Sequence, residues 1–88
     1  MQSMNAALII ARSAQIRDSL FVLLRAGRRV KAIHEAADSV AAVAVAPEVQ
    51  PALVLLDCDL GGDEAHESLR LIQAAWPPAR TVVLVEGE

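Results

Sequence analysis

The chain has 88 residues, the size of one small domain. Its composition is 55% hydrophobic with no Tyr, one Phe and one Trp, so its core must be built from aliphatic side chains. The net charge of −3, with acidic and basic residues interspersed, gives no reason to expect binding to nucleic acid or to an anionic membrane.

The chain carries no signal for export or membrane insertion. Its single cysteine, Cys58, rules out an internal disulfide and is typical of a reducing compartment. Without a second Cys or a neighbouring His, Cys58 is interpreted as a packed small side chain. No apolar run approaches the ~20 residues that span a bilayer, and residues 1–5 lack the basic start of a signal peptide. We therefore expect a cytoplasmic protein.

Strand and helix patterns alternate along the first half of the chain. Residues 6–10 form an apolar run of strand length, and Ser13 is placed to cap the helix that follows. Gly27 is the expected end of that helix. Residues 29–33 alternate charged and apolar side chains, which is typical of an edge strand with one solvated face. The helix is predicted to bury one stripe of four side chains: Ile16, Leu20, Leu23 and Leu24.

A second helix and a third strand come next. Asp38 is placed to cap a helix over residues 39–46, and Pro47 would stop that helix. Residues 52–57 form an unbroken apolar run that ends on the carboxylate of Asp57. Such a run predicts a strand buried on both faces of a sheet.

A third helix and a fourth strand complete the pattern. Gly61 and Gly62 indicate a loop, and Asp63 is placed to cap a helix that ends at about Trp76. Residues 81–85 are a β-branched run that predicts the fourth strand. The helix is expected to bury a stripe of four residues: Ala65, Leu69, Ile72 and Trp76.

The element order β-α-β-α-β-α-β predicts one α/β domain over residues 1–88, with a parallel sheet and helices on both faces. Open parallel sheets place their functional groups at the carboxyl ends of the strands, and Asp57 occupies such an end. A charge is costly to bury, so Asp57 must face a solvent crevice, pair with a cation or hold a proton.

These segments resemble the receiver domains of bacterial two-component response regulators. The resemblance runs from about Ala6 to Glu88, and its most specific part is the strand ending in Asp57, followed at the family's spacing by Leu60 and Gly62. It implies a flavodoxin-like open sheet with strand order 2-1-3-4, truncated before the family's fifth strand. It also implies that Asp57 occupies the phosphoacceptor position.

The chain departs from the family at the residues that support phosphorylation. The family's pair of metal-holding acids corresponds here to Ala11 and Arg12, so Mg²⁺ binding is expected to be weak or absent. The hydroxyl residue that ends the family's fourth strand is replaced by Val85. The lysine that follows the fifth strand has no counterpart. We therefore expect no metal cofactor and no enzymatic activity.

We hypothesise that Arg12 pairs with Asp57, since a guanidinium can bind a carboxylate bidentately. The domain would then be a degenerate receiver, a signalling and interaction module that works without phosphorylation and for which a histidine kinase is a candidate partner. In a simpler interpretation Arg12 points to solvent and Asp57 only anchors the local structure.

Two other functions stay open. In one, the chain is a working phosphoacceptor that is phosphorylated on Asp57 with Mg²⁺ held by substitute ligands such as Asp59 or Glu86. In the other, it is a flavodoxin-like domain that binds a small ligand in the same crevice. Titration with Mg²⁺ separates the first of these from a degenerate receiver.

The fourth strand is also a candidate interaction surface. Without a fifth strand beside it, its edge would present unpaired N–H and C=O groups. We therefore expect self-association through this edge, formed by Thr81, Val82, Val83, Leu84 and Val85, or through docking of sheet faces.

Three weaker motifs are interpreted as structural. The segment from Asp57 to Gly62 is similar to the start of a calcium loop, but Ser68 stands where the bidentate Glu is needed. His34 and His66 have no ligand partners at metal spacing. The basic cluster at a predicted helix end is assigned to dipole complementation: Arg25, Arg28, Arg29 and Lys31.

Overall fold

Four strands and three helices alternate along the part of the chain that the structure describes. The structure is a computed structural model that describes residues 6–27, 30, 32–44, 50–57 and 62–84, without the side chains of residues 62–65. The elements are β1 (Ala6–Ile10), α1 (Ala14–Gly27), β2 (Ala32–Ala36), α2 (Ser39–Ala44), β3 (Leu53–Asp57), α3 (Gly62–Ala75) and β4 (Arg80–Leu84).

The four strands form one parallel sheet in the order β2-β1-β3-β4, which confirms the predicted order. Ile10 lies beside Ala36 on one side and Leu56 on the other, so the carboxyl ends of the three strands reach one edge of the sheet. Right-handed crossovers place α1 on one face, and α2 and α3 on the opposite face.

The face under α2 and α3 holds the main core. Alternate residues of β1 and β3 project there because successive side chains of a strand point to opposite faces. A cluster of buried side chains joins these strands to the two helices: Leu8, Ile10, Ala42, Val54, Leu56, Ile72 and Trp76. Ile72 and Trp76 belong to the stripe that was predicted for the third helix, and Leu69 packs against the cluster. Ala65 has no described side chain.

The opposite face is covered by α1, which packs chiefly over β1 and β2. No residue of α1 is buried. Ile16, Leu20 and Leu24 are half-buried, whereas Leu23 is 67% exposed, so the prediction that Leu23 joins the buried stripe is wrong. Its position on the flank of the helix explains this, because α1 has no described neighbour on that flank.

Both predicted caps in the first half of the chain are confirmed. The hydroxyl of Ser13 accepts a hydrogen bond from the Ile16 N–H at 3.2 Å, and the carboxylate of Asp38 accepts one from the Ala41 N–H at 2.8 Å. The predicted cap of the third helix is wrong in position, because α3 begins at Gly62 and Asp63 therefore lies in its first turn.

The strand limits differ most from the sequence prediction at β2, which covers residues 32–36 rather than 29–33. Pairing with β1 sets the observed limits by placing Ala32 beside Ala6. Two other strands shift by one residue, since β3 begins at Leu53 and β4 covers Arg80–Leu84. Several predicted positions lie outside the described residues: Ala46, Pro47, Gly61 and Val85.

Candidate signalling site at the carboxyl end of the sheet

Asp57 lies at the carboxyl end of β3, as the sequence predicts. Buried Val54 and Leu56 anchor the strand on the core face, and Asp57 itself is half-buried. Strand alternation puts its side chain on the face that α1 covers. Its neighbour in register on β4 is Leu84. Two buried side chains thus fix the strand and place the carboxylate at the carboxyl end of the sheet.

The end of β1 lies directly beside the end of β3 and contributes Ala11 and Arg12. Ala11 is 1% exposed, and its N–H donates to the Ala36 carbonyl at 3.0 Å, which extends the pairing with β2 by one residue. Its methyl group offers no metal ligand. Arg12 is exposed and comes next in the chain, at the same edge as Asp57. The pairing of Arg12 with Asp57 stays a prediction.

Arg17 on α1 is a member of the site that sequence reasoning missed. Its Nη1 donates to the Ala11 carbonyl at 2.6 Å and to the Arg12 carbonyl at 3.2 Å. Its Nε lies 3.6 Å from Oε1 of Glu35 on β2. One guanidinium thus ties the turn after β1 to the first helix and to the edge strand, and it leaves a fixed positive charge against the backbone of Ala11.

The described residues at this edge do not fit a Mg²⁺ ion. Mg²⁺ takes hard oxygen ligands in near-octahedral geometry. Here the end of β3 supplies the carboxylate of Asp57, and the end of β1 supplies the methyl group of Ala11 and the guanidinium of Arg12. The nearby guanidinium of Arg17, on α1, lies 3.6 Å from Glu35. Arginine side chains offer no oxygen ligands, so this set of residues is suited to ion pairs rather than to a divalent cation.

Three predicted members of the site, Asp59, Val85 and Glu86, lie outside the described residues, as does Cys58. The structure therefore leaves the proposed substitute metal ligands and the replaced hydroxyl position as predictions. Within the described residues, no group of three or more His, Cys, Asp and Glu side chains comes close enough to hold a metal ion.

The residues of the three weaker motifs lie outside this site. Ser68 is 6% exposed, and its hydroxyl lies 2.9 Å from the hydroxyl of Ser39, which is 4% exposed, so it joins α3 to α2. His34 on β2 and His66 on α3 are both exposed. In the basic cluster, Arg25 is described, and its guanidinium stacks over the Phe21 ring at 5.6 Å from the centroid. The other members lie outside the described residues: Arg28, Arg29 and Lys31.

Solved structures of response regulators share this fold. The chain superposes on the MaeR response regulator bound to beryllium trifluoride with a TM-score of 0.81 and 15% identity over 97% of its length. It matches a CheY-like receiver domain protein from Methanospirillum hungatei JF-1 with a TM-score of 0.79 and 20% identity, also over 97%. For a Burkholderia pseudomallei response regulator with a phosphorylated aspartic acid, a calcium ion and citrate, the TM-score is 0.78 with 23% identity over 96% of this chain.

The chain therefore has the receiver fold, as the sequence resemblance implied. It spans 70% of the MaeR chain, 66% of the Methanospirillum chain and 48% of the Burkholderia chain. No protein-family model matches the sequence, and no curated protein matches it. Among the helices that the structure describes, none is both long and apolar enough to cross a membrane.

Proposed function

We propose that the chain is a receiver-like signalling and protein-interaction module of a two-component response regulator that works without phosphorylation. The observation that carries this proposal is the donor set at the end of β1. Ala11 and Arg12 stand where the family holds its metal-binding acids, and the guanidinium of Arg17 is bonded to the carbonyls of both.

The physical argument concerns charge. Transfer of a phosphoryl group to a carboxylate brings several anionic oxygens together, and a divalent cation normally neutralises them. At the described edge, the neutralising charges belong to arginine side chains, which are permanent and cannot coordinate oxygens octahedrally. Asp57 then serves as a fixed acid that Arg12 binds in a bidentate salt bridge. Such a pair would hold the turn after β1 against the end of β3.

Acetyl phosphate with Mg²⁺ tests this function directly. We expect the intact mass of the purified chain to stay unchanged after incubation. A gain of one phosphoryl group that disappears in Asp57→Asn would contradict the proposal and favour a working phosphoacceptor, with Mg²⁺ held by Asp59 or Glu86.

A gain-of-function variant provides the matched control. Arg12→Asp restores one of the family's acids at an exposed position, so the fold should be retained. We expect this variant to bind Mg²⁺ more tightly than the unaltered chain, because it replaces a cation with an oxygen ligand. If the variant and the unaltered chain respond alike to Mg²⁺, then Arg12 does not determine metal exclusion.

Association is the proposed mode of action, with the β4 edge as one candidate surface. β4 is an outer strand of the described sheet, and a further strand can pair with its backbone. Amide hydrogen exchange at residues 81–84 tests this pairing. We expect outward-pointing amides to exchange more slowly as protein concentration rises. Exchange that is independent of concentration while the chain associates would exclude edge pairing.

A further inference from the structure

Hydrogen bonds hold the turn after β1 on two sides. The N–H of Ala11 donates to the Ala36 carbonyl of β2 at 3.0 Å. The carbonyl of Ala11 accepts a hydrogen bond of 2.6 Å from Nη1 of Arg17, and the same nitrogen donates to the Arg12 carbonyl at 3.2 Å. The donor is charged and the first of these bonds is partly buried, which strengthens it. The turn is therefore fixed to β2 on one side and to α1 on the other.

These hydrogen bonds restrict the backbone of Arg12 in particular. Its α-carbon joins the peptide group that carries the Ala11 carbonyl to the one that carries the Arg12 carbonyl. Peptide groups are rigid, so only the φ and ψ angles of Arg12 can change their relative orientation. Because both carbonyls are bonded to one nitrogen, a large change in either angle breaks a hydrogen bond. Arg17 thus sets the direction in which the Arg12 side chain leaves the backbone.

Arg17 is itself anchored at both ends. Its backbone N–H donates to the Ser13 carbonyl at 3.0 Å, in a first helical turn that the Ser13 hydroxyl caps. Its Nε lies 3.6 Å from Oε1 of Glu35, and the side chains of Arg17 and Glu35 are 21% and 32% exposed. Glu35 lies in register with the fully buried Ile9, which fixes its position on β2. The guanidinium that holds the turn therefore has a defined position.

The end of β3 lies beside this turn. Ile10 of β1 is in register with Leu56 of β3, so Arg12 and Asp57 follow the ends of neighbouring strands. Neighbouring strands are ~4.8 Å apart, a distance that an arginine side chain can span. Arg17 directs its charge to a carboxylate on β2 and to two carbonyl oxygens. It therefore acts on the backbone, and any effect that it has on Asp57 passes through Arg12.

We propose that Arg17 is a positioning residue for the ion pair between Arg12 and Asp57. It fixes the turn after β1 before the pair forms, so less conformational entropy is lost when the guanidinium meets the carboxylate. Glu35 contributes by holding Arg17 in place. The role assigned to Arg17 rests on the proposed function, because the ion pair that it positions belongs to that function. Without Arg17 the turn samples more conformations, and the two charges are coupled more weakly.

A double-mutant cycle in two backgrounds tests this role. Urea denaturation of Arg12→Met, Asp57→Asn and the double variant gives the coupling between the two side chains. In the unaltered chain we expect the coupling to change the unfolding equilibrium constant by about fivefold, and in the Arg17→Met background by less than about twofold. A merely structural Arg17 would lower the stability of every chain in the cycle alike and leave the coupling unchanged.

Arg25→Met is the matched control, since Arg25 is an exposed arginine of the same helix whose guanidinium stacks over the Phe21 ring. We expect it to leave the coupling unchanged. Glu35→Gln is a milder variant, for use if Arg17→Met fails to fold, because it removes only the ion pair that holds Arg17. We expect its coupling to lie between those of the unaltered chain and Arg17→Met.

Exchange of the Arg12 Nε–H proton with water, followed by NMR, gives a spectroscopic readout in the folded chain. We expect it to become about fivefold faster in Arg17→Met and to stay the same in Arg25→Met. Full coupling and unchanged exchange in Arg17→Met would overturn the positioning role and leave the ion pair in place. Absence of coupling in the unaltered chain would overturn the ion pair itself, and the positioning role with it.

Discussion

The two faces of the sheet differ in how completely they are packed, and the site lies on the less complete one. Under α2 and α3, side chains such as Leu56 and Ile72 are fully buried. Under α1, no helix residue is buried, yet this face carries Asp57, Arg17 and Glu35. Ile9 of β1 is fully buried on the α1 face too, so the difference lies in the helix layer: α3 contributes buried side chains, whereas α1 contributes half-buried and exposed ones, which leaves room for charged groups.

The largest expected effect is the difference in stability loss between two equivalent side-chain truncations, one on each face of the sheet. Ile72→Ala and Leu20→Ala each remove three carbon atoms, but Ile72 is fully buried and Leu20 is half-buried. We expect Ile72→Ala to lower the free energy of unfolding by about 2–5 kcal/mol and Leu20→Ala by about 1 kcal/mol. Urea denaturation at low protein concentration measures both. Equal losses would mean that the two faces are equally packed.

A buried hydrogen bond joins α2 to α3 on the core face, and its contribution to stability can be measured. The Ser39 and Ser68 hydroxyls lie 2.9 Å apart and are buried. Either single change to Ala leaves a buried hydroxyl without its partner, which costs about 1–3 kcal/mol. The double change should cost less than the sum of the single ones. Additive losses in a double-mutant cycle would show that the two hydroxyls are not coupled.

Arg17 should contribute less to the free energy of unfolding, and mainly through its hydrogen bonds to the backbone carbonyls after β1. Arg17→Met removes the donors to the Ala11 and Arg12 carbonyls, and we expect a loss of about 1–2 kcal/mol. Glu35→Gln removes only a partly exposed ion pair, which is worth about 0.2–1 kcal/mol and is weakened by salt. Thermal unfolding of both variants at low and high salt shows which variant loses more stability. A larger loss for Glu35→Gln would reverse this interpretation.

The smallest effect is expected on the outer flank of α1. Leu23→Ala should change the stability of the monomer by less than about 0.5 kcal/mol, because the side chain is mostly exposed. Urea denaturation of the dilute protein measures this loss. A loss in the dilute sample as large as that of Leu20→Ala would place Leu23 in the core.

Local rules made much of this fold predictable. A helix cap needs one side chain three residues from its backbone partner, so Ser13 and Asp38 could be recognised from the sequence alone. The unbroken apolar run that ends at Asp57 identified the central strand and the residue at its carboxyl end. The β-α alternation predicted a parallel sheet, whereas the strand order came from the resemblance to receiver domains and not from these local features.

Features that depend on distant partners could not be predicted. The limits of β2 follow from its pairing with β1, and the alternating sequence before Ala32 fits a strand equally well. The exposure of Leu23 depends on what lies beside α1. Arg17 reaches back to the Ala11 carbonyl and across to Glu35, a geometry for which the sequence carries no short-range signal.

A Mg²⁺ titration of the chain followed by amide NMR tests whether this end of the sheet excludes a catalytic metal. We expect no saturable shift at Ala11, Arg12 or Asp57 up to millimolar Mg²⁺. Saturable shifts centred on Asp57 and lost in Asp57→Asn would contradict it.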